Sequence, residues 1–385
     1  MRFSVDAHAI GRHLTGNEVY IRNLLTQFAD LDKSAEFIAY LSVADADGWV
    51  PRRFLRRHVA TNPFVRLGFD LSRRLGQDRP DLLHVQYNAP IGCPVPLVVS
   101  VHDVSFLDHP EYFPPLRPQQ LRYTVRRTIR RSARVLTGSE FSRAAIIRAY
   151  GLPDDKVVVV PNAAEQRFRP ISREAAAARV AERFRIPSPF VLTVGDLQPR
   201  KNHLGLISAF AEMLRAMPSL PHHLVLAGKD SWHSSHVHRA ARVSGVADRI
   251  HFTGFVSDDD LLALYNACEL FVFPSFYEGF GLPVLEAMAC GRAVACSNTS
   301  ALPEVADAAA ILFDPYSKDE ATRAMLDLVL DGELRARMEK LGTHRASQFS
   351  WQKTAARTLE VYHDVADRQR VFQPEAERAA HALRS

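Results

Sequence analysis

The sequence predicts an α/β chain built as two Rossmann-like, doubly wound parallel-sheet domains facing a central cleft. Three observations carry this. Short, near-continuous apolar runs alternate with longer segments of helical period along most of the chain, the pattern of parallel strands covered by helices on both faces. The alternation is interrupted once, by residues 161–189, which hold four prolines and no strand pattern. The length, 385 residues, suits two or three domains of roughly 100–200 residues each.

Taken in order, strands are expected at 2–6 (RFSVD), 37–41 (FIAYL), 81–86 (DLLHVQ), 97–101 (LVVSV), 134–138 (RVLTG) and 157–160 (VVVV), with helices at 18–30, 118–132 and 140–150. Segment 161–189 reads as a linker followed by a short helix. A second set of strands begins at 190–194 (FVLTV) and continues at 223–227, 249–252, 269–273, 292–296 and 309–313. Helices are expected between them at 203–217, 233–244, 258–267, 282–290 and 318–330, then at 332–347 and 351–366 before a charged tail. The expected division is a first domain over 1–168, a second over 169–348, and a closing segment over 349–385.

Composition narrows the class further. Apolar residues make up 47% and charged residues 24%, which excludes a disordered chain. No apolar run reaches the roughly 18 residues of a membrane span, and the opening MRFSVDAHAIGRH has no secretory signal pattern. Four scattered cysteines without a Cys-x-x-Cys pair argue against a disulfide framework or zinc site and for a reducing compartment. The expectation is a cytoplasmic protein. Residues 1–170 hold 24 Lys+Arg against 17 Asp+Glu, whereas 171–385 hold 24 against 26. Such a basic first half invites anionic surfaces. The arginines lack aromatic interleaving and any nucleic-acid module, so nucleic acid is not an expected partner. Peripheral contact with the inner face of a membrane is.

In an open parallel sheet, ligands bind beyond the carboxyl ends of the strands, so residues just after strands are the candidates. After FVLTV comes Gly195, which permits a tight exit, and then Arg200-Lys201 before a helix. Two cations beside helix-end amides make a diphosphate clamp; the plain alternative is a solvated basic pair. After ELFVF come Glu278-Gly279-Phe280-Gly281-Leu282 and, within an apolar helix, Glu286. The glycines admit a ligand to the backbone. The carboxylates suit sugar or ribose hydroxyls, and an unpaired Glu286 in such a stretch would be costly. In the first half, LVVSV runs into His102-Asp103, and His84 and Gln86 end the strand before it. Gly16 stands in a turn ahead of the first helix, and Ser139 reads as a helix cap with Ser142 in the first turn. A lone histidine or glycine is more often structural than functional.

Walker, Gly-x-Gly-x-x-Gly, Gly-x-Ser-x-Gly and His-Glu-x-x-His patterns are missing, which argues against the corresponding kinases, dehydrogenases, serine hydrolases and metalloproteases. No divalent metal or other cofactor is expected at the site.

Together these residues resemble the retaining nucleotide-sugar glycosyltransferases of family four, whose fold is GT-B. The resemblance spans nearly the whole chain. Its most specific part is residues 273–289, where Glu278 and Glu286 match the family's Glu-x7-Glu signature within PSxxEGFGLPxLEAMACG; VGDLQPRKN (194–202), VHDVSFLDHPEYF (101–113) and SALPEVA (300–306) add to it. The first loop departs from the family's Thr-Gly-Ile-Gly-Arg-Tyr, retaining Thr15, Gly16 and Tyr20 alone. The resemblance implies an acceptor-binding first domain, a donor-binding second domain, and a closing helix, begun by FSW (349–351), that crosses back to the first domain. It assigns Arg200 and Lys201 to the donor diphosphate, Glu286 to the ribose, and Glu278 with the backbone of Gly279 to Gly281 to the transferred sugar. His102 would contact the sugar or phosphate, Gly16 would admit the phosphates, and Phe255-Val256 would lie at the base.

The activity implied is the transfer of a hexose, with retention and without a metal, from a nucleotide diphosphate sugar to a glycan or lipid-linked acceptor. GDP-mannose is the first donor expected from the Pro-Arg-Lys-Asn subgroup and UDP-glucose the second. A sugar-nucleotide epimerase of the same fold and a catalytically silent binding subunit are the alternatives. Donor incubated alone separates the first of these, because an epimerase converts it stoichiometrically.

Overall fold

The computed structural model describes the backbone of residues 1–12 and 15–382, and the side chains of all of these except 15 and 369–382. The first domain holds a seven-stranded sheet of β1 (Arg2–Asp6), β2 (Glu36–Leu41), β3 (Leu55–His58), β4 (Leu82–Gln86), β5 (Leu97–Ser100), β6 (Arg134–Thr137) and β7 (Val157–Val159). Its spatial order is β3-β2-β1-β4-β5-β6-β7, and every neighbouring pair is parallel. The second domain holds β8 (Phe190–Val194), β9 (His223–Ala227), β10 (Ile250–Gly254), β11 (Leu270–Phe273), β12 (Ala293–Ser297) and β13 (Ile311–Phe313) in the order β10-β9-β8-β11-β12-β13, again all parallel. The strand order therefore reverses between β1 and β4 and between β8 and β11. These switch points are where loops diverge to opposite faces and open a crevice for a ligand.

Each sheet is buried on both sides. Phe3, Val5, Phe37 and Leu41 pack with Ile21, Leu24 and Phe28 of the helix Thr15–Leu31 on one face. Val85, Val99 and Val135 pack with Leu71, Val125, Ile129 and Ile146 on the other. The near-continuous apolar strands are thus explained by two-sided burial. The helix Trp351–Ala382 contributes Trp351, Ala355, Leu359 and Tyr362 to the first domain's core. Tyr362 OH lies 2.5 Å from His84 Nδ1, and His84 Nε2 lies 2.7 Å from Ser100 Oγ. His84, which the sequence pattern puts on the cleft rim, is fully buried and instead pins this helix to β4 and β5.

Four other elements differ from expectation. β3 reads LRRH and pairs with β2 alone; an edge strand with one apolar residue leaves no apolar run to detect. A helix was not expected over 63–78, where Pro63–Val65, a π-helical turn at Arg66–Asp70 and Leu71–Asp78 run on without a break. The helix at the end of the chain continues to Ala382, past the expected 366, through polar residues whose period is weak; the last part of the charged tail, 383–385, lies outside the described residues. Gly16 does not lie in a loop: Thr15, Gly16 and Asn17 form the first turn of the helix Thr15–Leu31. Among the described residues, no helix is long and apolar enough to cross a membrane.

Candidate active site

The site grows from the β8/β11 switch point. β8 is followed by Gly195, whose φ of 150° few other residues adopt, and the chain then turns through Pro199–Lys201 into the helix His203–Ala216. Asn202 takes a left-handed conformation, and its side-chain oxygen accepts from Gly205 N at 3.1 Å. This cap fixes the direction of Arg200 and Lys201. A Cβ on Gly195 would meet Lys201 Cε at 3.1 Å, so the bare glycine gives the lysine stem its path.

Beyond β11, Glu278 receives both cations. Arg200 Nη1 lies 2.6 Å from one carboxylate oxygen, and Lys201 Nζ donates to the other at 2.7 Å. Arg200 also donates to the Tyr277 carbonyl at 2.8 Å, and Lys201 sits 4.6 Å above the Phe273 ring. Burial alone would push Glu278 upward, but the two cations outweigh it and hold the carboxyl at about 2. Lys201 is pulled below its ordinary range, chiefly by burial against the opposing pull of Glu278.

Across the cleft, His102 at the end of β5 faces this loop. Its Nε2 lies 2.8 Å from Gln86 Oε1, and Gln86 Nε2 in turn donates to Asn17 O at 3.1 Å. Gln86 therefore presents its carbonyl to the histidine, Nε2 carries the proton, and Nδ1 is left as an acceptor. Burial lowers His102 to about 4, against the pull of Asp103; at neutral pH it is an uncharged polar group.

The two domains touch at Gly279. A Cβ there would lie 2.0 Å from the His102 carbonyl oxygen, so only glycine fits. Ser139 Oγ donates to the Gly279 carbonyl at 2.7 Å, and Ser142 Oγ lies 3.0 Å from the same oxygen. Glu304 of the second domain accepts from the N–H groups of Glu140 and Phe141 at 2.9 and 3.1 Å, capping a first-domain helix. Phe280 and Leu282 were expected to bind donor. Their side chains are instead packed into the domain junction, Phe280 against Phe349 and Gly138 and Leu282 against the cores of both domains.

Glu286 stands apart from the Arg200–Lys201–Glu278 cluster. Tyr265 OH donates to it at 2.8 Å. Burial, with weaker repulsion from Glu165 and Asp258, raises it to about 7 against the opposing pulls of the Tyr265 hydroxyl and, more weakly, Arg167. Glu165, Asp258 and Arg167 belong to a network between the domains in which Arg22 meets Glu165 at 2.8 Å and Asp258 at 3.6 Å. Two glutamates eight residues apart are thus driven in opposite directions by their surroundings. The folded form of Glu286 binds its proton more tightly than the unfolded chain, whose value is near 4.5. Its contribution to stability is whole below that pH and is lost as pH rises through about 7. Glu286→Gln is therefore expected to be more stable than the parent above pH 7, by up to about 3 kcal/mol. Denaturant titrations that show equal stability at pH 5 and pH 8.5 would refute this.

Phe255 and Val256 follow β10. The Phe255 ring is half exposed and carries the Lys229 ammonium 5.4 Å from its centroid. Gly16 lies in the helix turn whose Asn17 carbonyl holds Gln86, the partner of His102. Sequence reasoning missed Asp103 as a second anion toward Arg200, Lys229 at the end of β9, and Glu304 as a clamp between the domains. The first was visible as half of the His102-Asp103 pair. Glu304 gave no local signal. Among the described residues, no group of three or more His, Cys, Asp or Glu is placed to hold a metal ion.

Two parallel-sheet domains, with Arg200, Lys201 and Glu278 gathered at the second sheet's switch point and His102 on the facing rim of the first, have the architecture of a GT-B transferase. Residues 14–166 match the family described as Glycosyltransferase Family 4, and residues 176–345 match Glycosyl transferases group 1. An O-antigen chain mannosyltransferase B of Escherichia coli is 34% identical over 266 residues, 69% of each chain. The serotype-specific mannosyltransferase WbdA of the same species is 36% identical over 222 residues, which span 56% of this chain and 27% of WbdA. Anabaena HepE, solved in complex with UDP and glucose, shares the fold with a TM-score of 0.76 at 20% identity, over 94% of this chain and all of that one. The chain belongs to the family-four, group-1 glycosyltransferases and is a glycosyltransferase enzyme.

Proposed function

We propose that the chain is a retaining mannosyltransferase that takes mannose from GDP-mannose, without a metal ion, and places it on a glycan or lipid-linked saccharide. The observation that carries this is the convergence of Arg200 and Lys201 on Glu278, opposite His102. The names of the two similar mannosyltransferases favour mannose over glucose.

In this reading the donor pyrophosphate takes a share of Arg200 and Lys201, while Glu278 and the Gly279–Gly281 backbone hold the sugar. Glu286 and Phe255-Val256 receive ribose and base, and the uncharged His102 accepts a sugar hydroxyl at Nδ1. As the bond from C1 to phosphate breaks, negative charge grows on the departing oxygen. Fixed cations aimed at that oxygen lower the barrier without reorganisation. The acceptor hydroxyl forms its bond to C1 on the same face, and its proton passes to the leaving phosphate. Closure of the two domains excludes water from this step.

GDP-mannose should raise the melting temperature more than UDP-glucose at equal concentration, since only a true ligand stabilises by linkage. Incubation with acceptor should release GDP and give an α-linked product by NMR. A flat response to every nucleotide sugar would overturn the reading.

A further inference from the structure

The first domain carries an outward face that its own core does not use. The helix Arg117–Arg131 has arginines at 117, 122, 126, 127, 130 and 131 and no acidic residue. Among the described residues, none of the six forms an ion pair, and all but Arg127 are exposed. Beside it runs the helical stretch 63–78, and the loop around Ile91 joins the two. Ile91 N donates to Leu67 O at 2.7 Å, Ser72 Oγ donates to Ile91 O at 2.5 Å, and Ala89 N donates to Thr128 Oγ1 at 2.9 Å. Phe64, Phe69, Ile91, Leu116 and Tyr123 on these segments are each between 61% and 78% exposed.

These residues are held in place. The π-helical turn delivers Arg66, itself buried, to both oxygens of the buried Asp6 at 2.7 and 2.6 Å, so Phe64 and Phe69 project from an anchored helix. The acids of this stretch are turned to other work. Asp70 accepts from Ala60 N and Arg74, and Asp78 accepts from Tyr40 OH and Arg57. Leu116, with φ at 70°, keeps a left-handed conformation that is unfavourable for leucine. It lies four residues beyond Tyr112, which stacks across the cleft on Phe276 at 6.1 Å. The face therefore reaches the cleft mouth.

We infer that this face docks on a lipid bilayer rich in anionic headgroups, with Phe64, Phe69, Ile91, Leu116 and Tyr123 entering the headgroup layer and the arginines of 117–131 pairing with lipid phosphates. Large apolar tips beside cations that form no ion pair are complementary to that surface, and the outward acid at its cleft edge, Glu111, is paired with His109 at 3.0 Å. A nucleic acid has the charge but offers no layer for apolar side chains to enter.

The test is co-sedimentation of the full chain with phosphatidylcholine vesicles, alone or mixed with phosphatidylglycerol, at low and high salt. The parent should bind the mixed vesicles at low salt and release them at high salt. Arg122→Gln with Arg126→Gln and Arg130→Gln should weaken the partition on the order of 100-fold. Phe64→Ser with Phe69→Ser should also weaken it at unchanged charge, while donor hydrolysis and melting temperature stay those of the parent. Absence of binding to mixed vesicles would overturn the inference, as would full binding by the aromatic variant or equal affinity for duplex DNA. A dimer in solution that the aromatic variant dissolves would assign the face to a second copy of this chain and overturn it too.

Discussion

Arg200→Ala is expected to lower turnover by about 10²–10³-fold, the usual loss when one preorganised donor to a developing anion is removed, and Lys201→Ala to act alike. Either variant should still fold. In each, Glu278 keeps one cation, Lys201 at 2.7 Å or Arg200 at 2.6 Å, so the buried carboxylate is not left bare. The double variant is a different matter. It strands Glu278, and an uncompensated buried charge costs about 3–5 kcal/mol. Steady-state transfer from GDP-mannose, read beside the melting temperature, separates the two effects. Single variants inactive at near-parental stability, with a double variant that melts early, are the expected set. Near-parental turnover in both single variants would remove the diphosphate clamp from the mechanism.

Much of this arrangement is legible in the sequence because it is local. β8 and β9 read as near-continuous apolar runs, FVLTV and HLVLA, and form over the expected residues. Their loops come directly after them in the chain, so Arg200-Lys201 and Glu278 can be placed beyond strand ends from residue order alone. What is not legible depends on the two domains meeting. The Ser139–Gly279 hydrogen bond joins residues 140 positions apart, and Glu304 caps a helix 164 positions away. No period or spacing encodes such partners, because they arise from the relative placement of two separately folded sheets. The packing of the Phe280 and Leu282 side chains has the same origin, because the junction they fill forms only where the two domains meet.

That junction makes Gly279 the position of second-largest expected effect. The methyl group of Gly279→Ala would stand 2.0 Å from the His102 carbonyl oxygen and 2.9 Å from Asp103 Cβ. Neither is the far end of a flexible chain. The main chain of one domain must therefore retreat by about an ångström or more from the other. Misplacement on that scale costs about 10²-fold in rate, so kcat should fall by this order. The nucleotide should bind nearly as well as before, because Arg200, Lys201 and Glu286 all belong to the second domain and move with it. GDP affinity by calorimetry, set against kcat, reads this split. Ser139→Ala with Ser142→Ala supplies the control. It removes the hydrogen bonds to Gly279 O at roughly 1 kcal/mol each but leaves the close fit intact. If both variants lose activity equally, hydrogen bonding rather than shape holds the domains in register. If Gly279→Ala retains parental kcat, the contact with His102 has no part in catalysis, and this arrangement of the two domains is not the one that turns over.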